Sequence, residues 1–200
     1  MKLRSEILNK RLKNIAEIYS GHLIPRKVND DPNGNVRYIQ MKDIDVECNV
    51  DVSKLSRVFI KKSIDGKCLL KNDILFKAKS NSNFACVIKK NFDNLIASAH
   101  FFTIRIKSNI IVPEYLAWFI NQKNTQRFLK INSSGSTISV VTKKQLGELK
   151  VSIPSINNQE KIIKLDNLRK KEKELETKIS ELRRKIYNQK ISNILRDIDK

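Results

Sequence analysis

The sequence predicts an α+β fold: one mixed globular domain over residues 1–154, then a long C-terminal coiled-coil helix over 155–200. Three observations predict it. Short alternating apolar runs recur between turn signals as far as Ile153, the pattern of half-buried strands. Two helical stretches interrupt them after Pro113. Beyond Pro154 no glycine or proline occurs, and apolar residues recur at steps of three and four.

Taken in order, the first 20 residues carry Leu3, Ile7, Leu8, Leu12, Ile15 and Ile18 at roughly helical spacing, which predicts a short N-terminal helix or two. "DDPNGN" at 30–35 is a turn: Pro32 fixes φ, and Asn33-Gly34 tolerates positive φ. "VRYIQMKDI" then reads as a strand. Further strands are predicted in "RVFI" at 57–60, "DILFKA" at 73–78, "ACVIK" at 85–89, "HFFTIRI" at 100–106 and "ELKVSI" at 148–153. Pro113 opens the helix "PEYLAWFINQ" as its first residue, and "TQRFLKI" forms a second helical piece. No internal repeat is present.

From Asn157 the character changes. Asn157 and Glu160 have the spacing of a capping box. Leu165, Leu168, Glu172, Leu175, Ile179, Leu182, Ile186 and Gln189 then step by 3, 4, 3, 4, 3, 4, 3, a heptad seam with two polar interruptions. About forty residues at 1.5 Å each give a rod of roughly 60 Å. A lone helix of that length leaves its seam wet, so Leu165, Leu168, Leu175, Ile179, Leu182 and Ile186 are expected to meet a partner helix. After Ile186 the apolar positions shift to Tyr187, Ile191, Ile194, Leu195 and Ile198, and face away from that stripe.

Hydrophobic residues make up 40% of the chain, enough for a core rather than disorder. The net charge of +19 suits a polyanionic partner. Residues 161–200 hold 13 basic and 7 acidic groups, a net of +6, so the first 160 residues carry the larger excess of +13. A solvated helix alone does not explain that. Cys48, Cys68 and Cys86 lack CxxC spacing and are expected to be buried free thiols. The N-terminus has no signal-peptide run, and no segment approaches 18 apolar residues, so a cytoplasmic location without membrane association is expected.

Catalytic constellations are scarce. His22 and His100 stand alone, no GxGxxG or P-loop occurs, and the tetrapeptide used by amino-methyltransferases is missing. Asp43, Asp45 and Glu47 alternate in "KDIDVE", but a metal site needs groups from several elements, so neither a metal nor a catalytic residue is expected. Binding features are better represented. The tracts "KAKSNSN" at 77–83 and "NSSGSTISVVTKK" at 132–144 mix cations with small amide and hydroxyl side chains, which suit phosphates and base edges. The DNA-binding candidates are Arg26, Lys27, Arg37, Lys77, Lys79, Ser80, Asn81, Asn83, Ser136, Thr137, Lys143 and Lys144.

The stretch "PEYLAWFINQKNTQRFLKINSSGSTISVVTKKQLGELKVSIPSINNQEKI" resembles the specificity subunits of type I DNA restriction-modification systems. Gly135-Ser136-Thr137, Leu146, Leu149, Ile153, Pro154, Gln159 and Ile162 occupy the family's positions for its Gly-Ser-Thr loop, its strand ending in Ile-Pro and its following helix. "SGHLIPRKVNDDPNGNVRYIQMKDI" resembles its opening segment, and "LLKNDILFKAKSNSNFACVI" its Gly-Asp-Ile-Leu segment, with Asn72 where glycine is usual. The usual family chain carries two target-recognition domains and two long helices, so this chain resembles half a subunit. The resemblance implies a non-catalytic, sequence-specific DNA-binding subunit that directs a methyltransferase and a restriction subunit to a bipartite target. It implies too that S-adenosylmethionine belongs to the methyltransferase subunit and that this chain holds no cofactor. With the seam, it suggests a homodimer with antiparallel helices, a two-fold axis near Thr177, and Leu175 facing the partner's Ile179. The competing reading is a coiled-coil adaptor with non-specific nucleic-acid affinity.

Overall fold

The computed structural model describes residues 7–25, 27–45, 50–61, 64, 66–80, 82–131 and 140–198. Two compact units divide the chain, Met1–Gln159 and Glu160–Lys200. In the first, strands β1 (Leu8–Arg11), β2 (Ala16–Ser20), β3 (Val36–Ile39), β4 (Arg57–Val58), β5 (Ile74–Lys77), β6 (Ala85–Val87), β7 (Leu95–Ala97) and β8 (Phe101–Ile106) come first. Helices α1 (Pro113–Asn121), α2 (Lys123–Ile131) and α3 (Lys143–Gly147) follow, then strand β9 (Lys150–Ile153) and the long helix α4 (Ile156–Ile198).

The expected N-terminal helix is not formed. Leu8–Arg11 pairs antiparallel with Lys150–Ile153, and Ala16–Ser20 pairs antiparallel with β8. A 3-10 turn at Leu12–Asn14 joins them, and buries Leu12. The 4, 3, 3 spacing from Leu8 to Ile18 mimics a helix, but partners far along the chain decide the outcome. Among the described residues three sheets result: β1-β9, β2-β8-β5-β6 and β4-β3-β7.

The four- and three-stranded sheets share one core. Leu75, Cys86 and Phe101 of the first pack with Ile39, Leu95 and Ala97 of the second. The opposite face of the three-stranded sheet buries Val36, Tyr38, Val58, Ile60 and Ile96, so both faces of this small sheet contribute to a buried cluster. The chain crosses between the two sheets immediately after β2. Gly21 donates its N–H to Phe101 at 3.0 Å, and His22 donates to Ala97 at 2.8 Å. A Cβ on Gly21 would stand 2.0 Å from the Ser98 carbonyl oxygen, so only glycine fits the crossing.

The predicted turn at 30–35 forms, and one further expectation, on the cysteines, is corrected. Gly34 is not among the described residues with positive φ; it is needed because a Cβ would lie 2.5 Å from the Val58 nitrogen. Asx and i,i+3 bonds close the turn, with Asn33 N–H on Asp31 Oδ1 at 3.0 Å and Gly34 N–H on the Asp31 carbonyl at 2.8 Å. Cys86 is disulfide-bonded, whereas Cys68 keeps its thiol. Disulfides need only close Cβ atoms in the fold, which sequence spacing does not report.

Helix α4 is 43 residues long, about 65 Å at 1.5 Å per residue. Asn157 lies within its first turn and is not its cap. Gln159, 0% exposed, fastens that turn to the globular unit. Its Oε1 accepts from Val112 N–H at 2.9 Å, and its Nε2 donates to the carbonyls of Ile110 and Pro154, each at 2.8 Å. Along the helix Leu165, Leu168, Leu175, Ile179, Leu182 and Ile186 are all exposed, between 47% and 67%. None of the described helices is long and apolar enough to cross a membrane.

Candidate nucleic-acid interface

Backbone pairing gathers several polar loops at one end of the two central sheets. His22 pairs with Ser98 in a parallel bridge, which sets the 22–25 loop beside Ser98–His100. Ala78 donates to the His100 carbonyl at 2.9 Å, bringing in the loop after β5. Lys79 pairs antiparallel with Val140, and Val141 donates to the Ala78 carbonyl at 3.0 Å. The two lysine-bearing tracts picked out by composition therefore meet at 78–79 and 140–141.

The side chains there differ in what they are free to do. Lys79 is exposed. Lys77 is half-buried, with its Nζ 5.5 Å from the Phe84 ring centroid, so its charge is partly held by that ring. Ser80 Oγ accepts from Ser82 N–H at 3.2 Å. The Asn83 amide donates to the carbonyls of Lys77 and Ala78 at 2.8 and 3.2 Å, so it shapes the loop. Lys27 is exposed on the loop before β3, and Arg37 is half-buried on β3; neither takes part in the pairing of these loops. Arg26, Asn81, Ser136 and Thr137 lie outside the described residues.

Lys143 and Lys144 begin α3, which sequence reading missed because a five-residue helix carries almost no periodicity. Its start is fixed by a reciprocal cap: Thr142 Oγ1 accepts from Gln145 N–H at 3.2 Å, and Gln145 Oε1 accepts from Thr142 N–H at 2.7 Å. Both lysines line a groove of about 830 Å³ with Lys13, Glu17, Tyr19 and Glu148. The two acids are already paired. Glu148 meets Lys13 at 2.5 Å and Arg11 at 3.0 Å. The Lys13 hydrogen bond, with the charges of Arg11 and Lys13, holds its carboxyl below the ordinary range. Glu17 meets Lys107 and the Tyr19 hydroxyl, and Lys107 first, then Tyr19, lowers its pKa. Lys143 and Lys144 make no ion pair with a described residue, and the Lys144 charge helps to lower the Glu148 pKa.

Behind the groove, Arg105 stacks over Tyr19 at 5.4 Å and grips Asp73 with two bonds of 2.8 and 2.7 Å. Asp73 is 2% exposed. The hydrogen bonds to Asp73 raise the Arg105 pKa above its already high value. This pair is structural, tying β8 to the chain entering β5.

Composition also missed Gln40 and Ser98. Ser98 donates its N–H to the Ile39 carbonyl at 2.9 Å, which extends the β3–β7 pairing towards the loop cluster. Both carry a buried side-chain atom with no hydrogen-bond partner, Gln40 Nε2 and Ser98 Oγ. The only signal was a small polar run, "SAH", just ahead of a strand. Asp43 accepts from the Gln40 N–H at 2.8 Å. Among the described residues no group of three or more His, Cys, Asp or Glu is placed to hold a metal.

The family description "Type I restriction modification DNA specificity domain" matches residues 5–184. The chain belongs to this family. Among curated proteins, this family member is similar to the MjaIX type I restriction enzyme specificity subunit of Methanocaldococcus jannaschii, at 26% identity over 76% of this chain and 35% of that protein. It is also similar to the HindI specificity subunit of Haemophilus influenzae, at 25% identity over 58% of this chain and 26% of that one. The chain thus spans about a third of the length of these relatives. The specificity subunit from M. genitalium has the same fold, with a TM-score of 0.57 and 15% identity over 84% of this chain and 40% of that chain. The HsdS subunit from Thermoanaerobacter tengcongensis gives 0.58 and 15% over 86% and 39%. A chain from a structure describing assembly and conformational transition of the type I restriction-modification system gives 0.61 and 14% over 86% and 40%.

Proposed function

We propose that this type I specificity-family chain reads a DNA sequence through the loop cluster and carries out no catalysis itself. It directs a methyltransferase subunit and a restriction subunit, in the cytoplasm, to a bipartite target, and S-adenosylmethionine belongs to the methyltransferase. The pairing of Lys79 with Val140 carries the reading, because it brings two lysine-bearing, amide- and hydroxyl-rich tracts to one place. Lysines there neutralise phosphates, while neutral polar groups discriminate base edges.

A second copy is the expected partner of α4. Six exposed Leu and Ile side chains recur at heptad spacing along it, and an apolar stripe of that length favours association. Antiparallel helices with a two-fold axis near Thr177 set Leu168 against the partner's Ile186 and place the two DNA-reading domains at opposite ends. Such a dimer reads a split palindrome, because protein symmetry is mirrored in the DNA.

The test is duplex binding by the purified chain, with and without a co-expressed methyltransferase, alongside methylome sequencing of the host with and without the gene. Loss of one bipartite methylated motif on deletion is the expected result. Binding without sequence preference in both preparations would favour the adaptor reading instead.

A further inference from the structure

Arg37 and Arg57 are direct cross-strand partners on β3 and β4. Tyr38 donates its N–H to the Ser56 carbonyl at 3.0 Å, so 38 and 56 form a hydrogen-bonded pair and 37 and 57 the closer, non-hydrogen-bonded kind. Such partners have Cβ atoms about 4.5–5.5 Å apart and side chains on one face. Like charges in that arrangement repel. Neither guanidinium makes an ion pair with a described residue.

The acids beside Arg57 are used on backbone. Asp30 Oδ1 accepts the Arg57 N–H at 2.7 Å, and Asp31 Oδ1 accepts the Asn33 N–H at 3.0 Å. The Asp31 N–H returns to the Arg57 carbonyl at 2.9 Å. Gly34 packs so close that a Cβ on it would lie 2.9 Å from the Arg57 Cβ. The turn at 30–34 therefore fixes where Arg57 leaves the strand. Two residues on, just beyond β4, Phe59 is 60% exposed.

We infer that Arg37 and Arg57 clamp one phosphodiester of a nucleic-acid backbone, with Phe59 against the adjoining sugar. A tetrahedral phosphate offers two non-bridging oxygens, one for each guanidinium, and bringing an anion between the arginines converts repulsion into attraction. The exposed ring favours a nucleotide chain over a free phosphate ion. This rests on the DNA-binding reading above, and adds to it a phosphate site whose second arginine, Arg57, composition gave no reason to choose.

Two measurements on the full chain decide it. In the first, inorganic phosphate is titrated against chloride at constant ionic strength while arginine Nε–H resonances are followed by NMR. Arg37 and Arg57 should shift together, and R57Q should abolish the Arg37 shift; no shift, or a persistent one in R57Q, overturns the clamp. In the second, duplex affinity is measured against salt for R37Q, R57Q and the double variant. One shared phosphate predicts that each single variant lowers the salt slope by about 0.9, and that the double lowers it no further. Unchanged slopes, or twice the loss in the double, overturn it. R57T should raise Tm in phosphate-free buffer by removing the repulsion; a lowered Tm would instead mark Arg57 as structural and overturn the proposal. Polyglutamate displacing phosphate as well as DNA does would also overturn it. If the wild-type chain binds no duplex, the DNA-reading function falls, yet the phosphate titration still decides the clamp.

Discussion

Asn121, at the end of α1, closes the outer edge of β6 with one side chain. Its Oδ1 accepts the Ala85 N–H at 2.8 Å, and its Nδ2 donates to the Ala85 carbonyl at 2.7 Å. A carboxamide thus stands where the next strand would be. Ala85 is 1% exposed, so without Asn121 both backbone groups would be buried and unpaired. Asn121→Ala should lower the unfolding free energy by about 2–6 kcal/mol in urea, at about 1–3 kcal/mol for each of the two orphaned groups. Asn121→Asp keeps the acceptor and loses the donor, so it should fall between the two. A loss under about 0.5 kcal/mol for the alanine variant would mean that water replaces the amide.

Gly21→Ala addresses the crossing between sheets. The new Cβ would meet a backbone oxygen, Ser98 O, at 2.0 Å, and backbone cannot swing aside as a side-chain tip can. Destabilisation of about 3 kcal/mol or more is expected, at the upper end of overpacking costs. The crossing leads directly into the loop cluster, so duplex affinity should fall even in the fraction that stays folded. An unchanged Tm would show that the strands separate there at little cost.

Positioning and reading separate in the loops. Lys79→Ala, Lys143→Ala and Lys144→Ala should each weaken binding to all duplexes alike and lower the salt slope by about 0.9. Asn83→Ala should behave differently, because its amide holds the Lys77 and Ala78 carbonyls and so the shape of the loop. It should change which duplexes are selected from a randomised pool. Uniform weakening by Asn83→Ala as well would remove the distinction.

Leu175→Lys with Ile179→Lys puts two charges into the middle of the α4 seam. Sedimentation at micromolar concentration should show a dimer for the wild-type chain and a monomer for the double variant. The variant should keep the fold of the globular unit and lose preference for a split site. A wild-type chain that sediments as a monomer would refute the two-fold arrangement.

Strong local signals were legible in the sequence. β9 alternates cleanly, β5 and β8 are compact apolar runs between turn signals, Pro113 marks α1, and the tract after Pro154 forms α4. Asn72 illustrates a deeper agreement. Its φ of 73° lies in the left-handed region, which glycine adopts freely and which asparagine tolerates. Long-range pairing was not legible. The Leu8–Ile18 spacing fits a helix and a strand pair equally, and only β8 and β9 decide between them. β7 is three residues long, too short to alternate visibly. For the site, composition picked out both lysine-bearing tracts, but their meeting depends on one bridge between Lys79 and Val140. Asn121 reads as an ordinary polar residue because its partner is a backbone segment 36 residues away, and the resemblance that marks Gln159 gives no hint that its amide bonds Val112 and Ile110.

The β1–β9 pairing has a kinetic consequence. Asn9 and Ser152, whose side chains bond at 2.9 Å, are 143 residues apart, and Leu12 donates its N–H to the Leu149 carbonyl nearby. On the ribosome, β1 waits without its partner through the synthesis of almost the whole globular unit. Such distant closures carry a large entropy cost before any contact repays it, so they come late and slow the overall rate. Final closure must await release of β9 from the exit tunnel, the moment at which α4 begins to follow. The seam-bearing helix therefore emerges only after the chain has what it needs to complete the domain, which limits the time that an unfinished domain and an exposed apolar stripe coexist on one nascent chain.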